Sequence, residues 1–193
     1  HDLRVDDSRK ITGPVQLLPA IFPNLVITTN LDDLLEKLYA RSEMPLTHIM
    51  SGKELAQYRQ VKTVNGRFLL KLHGDCRRTD TRVLLTAEYE AAYGPGMIIR
   101  NELTLLYQTN HLLCVGCSLG PDRTIKLIEE VAKIDGNMPK HYAFLPLPNT
   151  DAERLNREIF LTERGIYPIW YDGAHDSSIM ALLAGLLETT EKI

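Results

Sequence analysis

Three residues combine the side-chain types of a small-molecule site with positions at the ends of apolar segments: Asn30, Asp32 and His73. Asn30 follows directly after the run NLVITT, Asp32 comes two residues later, and His73 follows the run RFLLKL. An Asn amide donates and accepts hydrogen bonds, a carboxylate accepts them, and a neutral histidine accepts a proton. Together these groups could orient a water or a ribose hydroxyl and activate it.

Each of these residues also has a purely structural interpretation. Asn30 could be the N-cap of the next helix, because Asn is strongly favoured there. Asp32 could complement the dipole of the same helix. His73 could be a structural histidine, with Gly74 beside it allowing either a backbone segment or a ligand to approach closely. Taken singly, the residues leave both interpretations open.

A third apolar segment, LLCVGCSLGPD, contains Gly116 and Ser118. The Ser118 hydroxyl could bind a phosphate or a ribose, although serine is also a common turn residue. Cys114 and Cys117 have the spacing of half a zinc or redox motif, but the chain has no second CxxC and no nearby His pair. We expect reduced thiols buried in a strand, because free Cys packs as a small hydrophobe.

The elements that must position these residues alternate along the chain, after a helix or loop that ends at Pro23. Apolar runs predict strands at NLVITT (24–29), THIM (47–50), RFLLKLHGD (67–75), HLLCVGCSLG (111–120), HYAFLPL (141–147) and IYPIWYD (166–172). Helical spacing predicts helices at LDDLLEKLYARS (31–42), TAEYEAAYG (86–94), MIIRNELTLLYQTN (97–110), IKLIEEVAKI (125–134), AERLNREIFLTERG (152–165) and SSIMALLAGLLETTEKI (177–193). This alternation predicts an α/β fold with a mostly parallel sheet and helices on both faces. Ligands in such folds bind beyond the carboxyl ends of the strands. We expect the three segments that carry Asn30, His73 and Ser118 to end at this same edge of the sheet.

Composition narrows the class of protein. The chain has 193 residues, of which 44% are hydrophobic and 24% charged, and this is typical of a globular domain. The net charge of -3 and the pI near 6.1 do not provide the basic surface that nucleic acid or an anionic membrane requires. The sequence contains no apolar stretch long enough to span a bilayer, and its start is charged. We therefore expect one cytoplasmic domain over 1–193 that binds neither nucleic acid nor membrane.

In this order, the segments ITTNLDDLLE, LLKLHGD and LLCVGCSLGPD resemble the sirtuin-like domain, specifically the bacterial branch found in anti-phage NAD hydrolases. The resemblance extends from Asn24 to Leu187. It implies a Rossmann-like, NAD-binding domain in which three residues flank the nicotinamide ribose. Asn30 would orient a water or the ribose, Asp32 would help bind the carboxamide end, and His73 would hydrogen-bond or deprotonate a ribose hydroxyl.

The resemblance also implies an activity, namely hydrolysis of NAD to nicotinamide and ADP-ribose by Asn30 and His73, without a metal. The residues expected to contact NAD are Thr28, Thr29, Asn30, Asp32, His73, Gly116 and Ser118. The protein would act in anti-phage defence as a homo-oligomer or as part of a larger effector. The alternatives are a non-catalytic module that senses NAD or ADP-ribose or mediates assembly, and a deacylase or ADP-ribosyltransferase. The zinc ribbon with two CxxC pairs, usual in deacylating sirtuins, is absent from the sequence.

The chain departs from the family at two places. The family begins with a strand and a glycine-rich GAGxS loop, whereas here the first glycine, Gly13, follows no apolar strand. Either the chain is the later part of a longer protein or it is a variant without that loop, and we expect the former. Cys117 stands where the family often has Tyr or Thr, which affects the contact predicted for Ser118.

Overall fold

The computed structural model describes residues 6, 10–62, 65–120, 128–130 and 139–190. Within these residues the chain is an α/β protein whose strands pair in parallel, as the sequence predicts. It divides into two compact units. The first unit comprises His1–Glu102 with Met180–Ile193, and the second comprises Leu103–Ile179. That the whole chain forms one domain stays a prediction.

The strands and helices of the described residues follow the predicted alternation. The strands are β1 (Leu25–Thr28), β2 (His48–Ser51), β3 (Phe68–Lys71), β4 (Leu113–Cys114), β5 (His141–Pro146) and β6 (Ile166–Tyr171). The α-helices are α1 (Leu18–Ile21), α2 (Leu34–Ala40), α3 (Tyr58–Val61), α4 (Thr86–Tyr93), α5 (Ile98–Thr109), α6 (Asp151–Thr162) and α7 (His175–Thr190). Short 3-10 helices cover Pro14–Leu17, Gly52–Gln57 and Thr79–Thr81. A bilayer crossing needs a long apolar helix, and none is found among the helices of the described ranges.

The first unit is built on a three-stranded parallel sheet in the order β1-β3-β2. The central strand β3 is buried along its whole length, which explains why its sequence is apolar at successive positions rather than alternating. Aromatic side chains contact β3 and the segments around it. Tyr58 packs edge-on against Phe68, the Tyr39 hydroxyl donates to the Phe22 carbonyl at 2.8 Å, and the Tyr93 hydroxyl donates to the Leu72 carbonyl.

The second unit contains another parallel sheet, in the order β4-β5-β6. Strands β5 and β6 confirm the predictions for 141–147 and 166–172. The predicted strand over 111–120 is reduced to the two residues of β4, because the chain turns at Gly116, whose φ is 71°. Residues 128–130 are helical, and the rest of the helix predicted over 125–134 lies outside the described residues.

The prediction that a helix begins directly after Asn30 is wrong. Helix α2 begins at Leu34, and its first backbone bond runs from the Lys37 N–H to the Asp33 carbonyl at 3.2 Å. The carbonyls of the two preceding residues are used differently: Leu31 accepts from the Cys76 N–H at 2.9 Å, and Asp32 accepts from a lysine side chain described below. These bonds hold the chain in a loop before the helix.

Candidate functional site

Two of the predicted segments leave the same edge of the first sheet. Thr28 and Lys71 are register partners and are the last residues of β1 and β3. Because the strands are parallel, Asn30 and His73 each lie two residues beyond this pair, at the carboxyl edge where ligands bind in α/β folds. We call residues 29–33 the β1 loop and residues 72–78 the β3 loop. The structure therefore brings together the two loops that carry the predicted site.

Asn30 is exposed in the β1 loop and is not a helix N-cap. Its backbone N–H donates to the Thr28 hydroxyl oxygen at 3.0 Å, and Thr29 between them is also exposed. The N-cap position of α2 belongs to Asp33, three residues further along. Among the described residues, the Asn30 side chain has no hydrogen-bond partner. The capping interpretation of Asn30 is thus wrong, and its amide is available for a ligand.

Asp32 has a structural task of its own. One of its carboxylate oxygens accepts the Leu34 N–H at 3.0 Å, which forms a side-chain turn just before the helix. Asp32 therefore assists the start of α2 from outside its first turn. A carboxylate has several acceptor sites, so this bond leaves capacity for a second donor.

His73 is half-buried, and its carbonyl accepts the Val83 N–H at 3.1 Å. The next residue, Gly74, has a φ of 92°. A Cβ at Gly74 would lie 2.6 Å from both the Thr81 carbonyl oxygen and the Arg82 Cα. Of the two reasons that the sequence allowed for this glycine, the close approach of the chain's own backbone is the one observed.

A buried lysine connects the two loops. The side chain of Lys71 is fully buried, and its Nζ lies 2.5 Å from Glu36 Oε1 and 2.9 Å from Asp75 Oδ2. The same nitrogen donates to the carbonyl of Asp32 at 2.6 Å and lies 3.3 Å from that of Leu31. One ammonium group of β3 thus meets four oxygen atoms, two of which belong to the backbone of the β1 loop.

Burial and hydrogen bonds shift the pKa values of the three ionisable groups in this cluster. Burial works against the charged form of Lys71, but hydrogen bonds to Glu36 and Asp75 outweigh it and raise the pKa of the lysine. Burial also opposes ionisation of Asp75, yet the bonds from Lys71 and the Arg77 N–H hold its pKa below the ordinary value. For Glu36, burial dominates and raises the pKa. The surroundings therefore favour the charged forms of Lys71 and Asp75 and work against the charged form of Glu36.

Two arginines of the β3 loop attach it to neighbouring segments through ion pairs. The buried carboxylate of Asp33 pairs with Lys37 at 3.3 Å and with Arg77 of the β3 loop. Arg78 makes two bonds to Glu54, at 2.6 and 2.8 Å, and these lower the pKa of Glu54. Because Glu54 lies in the 3-10 helix after β2, the β3 loop is joined to segments that follow both neighbouring strands.

The remaining predicted residues, Gly116 and Ser118, are exposed in the loop that follows β4 in the second unit. Arg157 of α6 donates to the carbonyls of Ser118 and Leu119, the latter at 2.7 Å. Leu119 has a φ of 48°, which is uncommon for a residue other than glycine. That Gly116 and Ser118 contact the same ligand as Asn30 stays a prediction.

The cysteines only partly match the predicted buried strand thiols. Cys114 is the half-buried last residue of β4, but Cys117 is exposed beyond the strand because the strand ends early. A hydrogen bond with Cys117, together with burial, raises the pKa of Cys114. Among the described residues, no group of three or more His, Cys, Asp or Glu could hold a metal ion.

Sequence reasoning did not select Lys71, Asp75 or Asp33 as part of the site. A signal was present for Lys71, since a charged residue inside the apolar run FLLKL must find partners when the strand is buried. For Asp33 the sequence offered no such signal, because an acidic residue near a helix start is ordinary.

Most of the chain matches a known protein family. The family model of the SIR2-like domain matches residues 24–169, which is more than half of the chain. The chain therefore belongs to the SIR2-like domain family, and the resemblance seen in the sequence motifs is confirmed at that level. Family membership suggests an NAD-related function. A search of the curated proteins found no match.

Proposed function

We propose that this SIR2-like protein binds NAD at the β1 and β3 loops and hydrolyses it to nicotinamide and ADP-ribose, as an effector of anti-phage defence. The observation that supports this most is the placement of Asn30 and His73 beyond register partners on neighbouring parallel strands. Both lie inside the segment that matches the family.

The reaction needs few protein groups. The bond between C1′ of the nicotinamide ribose and the ring nitrogen breaks, and nicotinamide leaves with the electron pair. The ribose then has oxocarbenium character and is trapped by water, which releases a proton as ADP-ribose forms. Catalysis rests on stabilising that positive character and on orienting the water.

The site residues take the following roles in this proposal. The exposed amide of Asn30 orients the water or the ribose, and His73 hydrogen-bonds a ribose hydroxyl or accepts its proton. Asp32 binds the carboxamide of nicotinamide with the acceptor capacity that its bond to the Leu34 N–H leaves. Thr28 supports Asn30, since its hydroxyl oxygen accepts the Asn30 N–H.

The rest of the NAD molecule is assigned to other parts of the protein. Thr29 lies beside Asn30, and Gly116 and Ser118 would contact the ribose and phosphates. NAD is consumed as a substrate, and the proposed chemistry uses no metal. We further propose that the protein works in the cytoplasm, as a homo-oligomer or within a larger effector.

The identity of the products tests this function. The full-length protein is purified from phage-infected and uninfected cells and incubated with NAD in ¹⁸O-labelled water. The products are then separated, and their masses and amounts are measured by mass spectrometry. We expect equal amounts of nicotinamide and ADP-ribose, with one label in the ADP-ribose. NAD binding without any product would instead identify a sensor, and NAD consumption that requires an added acetylated peptide would identify a deacylase.

A further inference from the structure

The two loops of the candidate site are joined through the interior of the first unit. The Lys71 side chain is fully buried, although it ends the central strand two residues before His73. Its nitrogen reaches the carbonyl oxygens of Leu31 and Asp32, the two residues that follow Asn30. The ammonium group thus lies between the backbone that carries Asn30 and the backbone that carries His73.

Stability alone does not account for a lysine at this position. Taking an ammonium and two carboxylates out of water costs free energy, and apolar residues of the same volume often stabilise a fold as well or better. An apolar side chain could not, however, donate to the carbonyls of the β1 loop. The lysine adds hydrogen bonds to these carbonyls.

The carboxylates explain how the lysine remains charged and correctly aimed. Asp75 Oδ2 lies 2.9 Å from Lys71 Nζ, and its other oxygen accepts the Arg77 N–H at 2.7 Å, so the β3 loop holds one side of the ammonium. Glu36 of α2 holds another side at 2.5 Å. The ammonium group donates its remaining hydrogen-bonding capacity to the Leu31 and Asp32 carbonyls of the β1 loop.

We propose that Lys71 is a positioning residue, which fixes the β1 loop against the β3 loop so that Asn30 and His73 contact the same substrate molecule. This inference rests on the proposed NAD hydrolysis. Lys71 itself does not touch the substrate. Its effect passes through the backbone of Leu31 and Asp32 on one side and through its own strand on the other.

The decisive variant removes the connection without leaving unpaired charges. Lys71→Met alone is expected to fold poorly, because Glu36 and Asp75 would remain buried without their cation. We therefore combine Lys71→Met with Glu36→Gln and Asp75→Asn, which preserves the shapes of all three side chains. Lys62→Met, at an exposed position in the same unit, is the matched control for the lysine substitution.

Kinetics and amide hydrogen exchange are then measured on the full-length triple variant. We expect kcat for nicotinamide release to fall about 10- to 100-fold, the usual effect of displacing a positioned group by about 1 Å, whereas KM for NAD changes less than about threefold. Exchange of the Cys76 amide, which donates to Leu31, should accelerate about tenfold or more while the melting temperature stays near that of wild type.

Wild-type kcat together with wild-type exchange in the folded triple variant would overturn the proposal. A rise in KM with an unchanged kcat would overturn it as well. The proposal and the underlying function fail in distinguishable ways. If wild-type protein releases no nicotinamide, NAD hydrolysis is refuted, while the exchange of the Cys76 amide still decides whether Lys71 holds the two loops together.

Discussion

The ammonium nitrogen of Lys71 lies 2.6 Å from the backbone carbonyl oxygen of Asp32. This bond ties the end of the central strand to the loop that follows the neighbouring strand. It also occupies a carbonyl that a helix starting after Asn30 would need, and so accounts for the late start of α2 at Leu34. The loop that carries Asn30 and Asp32 thus depends on a buried contact with the end of β3.

Gly74 should tolerate no side chain. At Gly74→Ala the new Cβ would lie 2.6 Å from two backbone atoms of the facing segment, at a φ of 92°. We expect a loss of more than about 2 kcal/mol in the free energy of unfolding, measured by urea denaturation. The control is Gly96→Ala, where φ is 81° but no atom lies within 4 Å, and the loss should be about 1 kcal/mol. Equal losses at both positions would contradict the close approach.

Asp75 should stabilise the first unit in a pH-dependent way. Its folded pKa lies below the ordinary value of 3.8, so its stabilisation is complete above that value and is lost as pH falls through the folded pKa. Asp75→Asn should cost about 2 to 3 kcal/mol at neutral pH, since it removes a buried charged bond to Lys71. The deficit should shrink in acid.

A matched surface carboxylate provides the control for Asp75. Asp151 pairs with Arg154 at 3.3 Å, but its side chain is 96% exposed. Asp151→Asn should change the free energy of unfolding by less than about 0.5 kcal/mol at neutral pH. Equal losses of stability in both variants would contradict the claim that the buried Asp75–Lys71 bond stabilises the fold more than an exposed ion pair does.

His141 should remain neutral well below its ordinary pKa. Burial, together with the nearby His111, lowers its pKa from 6.5 to about 4. Between these values the unfolded chain binds a proton that the folded chain does not, so stability should decrease by up to about 3 kcal/mol from pH 6.5 to pH 4. Urea denaturation across this range should show the decrease, and His141→Gln should flatten it. An NMR titration of His141 with a midpoint near 6.5 would contradict the expectation.

The strands and most helices followed from the sequence because their signals are local. The runs RFLLKLHGD and NLVITT predicted β3 and β1, and Gly94 marked the end of α4 as expected. The start of α2 could not be read locally, because a lysine 39 residues away occupies the Asp32 carbonyl. The early end of β4, which left Cys117 exposed, has a local cause in the turn at Gly116, but the apolar run LLCVGCSL favoured a longer strand.

The candidate site was predictable to a similar extent. Asn30 and His73 stood out because polar residues followed apolar strands, and parallel pairing then placed them at one edge. The contacts that hold the two loops together could not be predicted, because the partners of Lys71 come from three separate segments. For Gly74, the sequence allowed close approach of a ligand or of backbone, and only the fold shows that the Thr81 carbonyl is the backbone neighbour.

The most direct test of NAD hydrolysis at this site is the rate of nicotinamide release by the full-length protein and its Asn30→Ala and His73→Ala variants. The matched controls are Asn101→Ala, exposed on α5, and His48→Ala, at the opposite end of the same sheet. We expect kcat/KM to fall about 100-fold or more in both site variants and less than about threefold in the controls. Release from wild type that is unchanged in Asn30→Ala and His73→Ala would contradict the assignment of the site, and no release from active preparations of wild type would contradict the function.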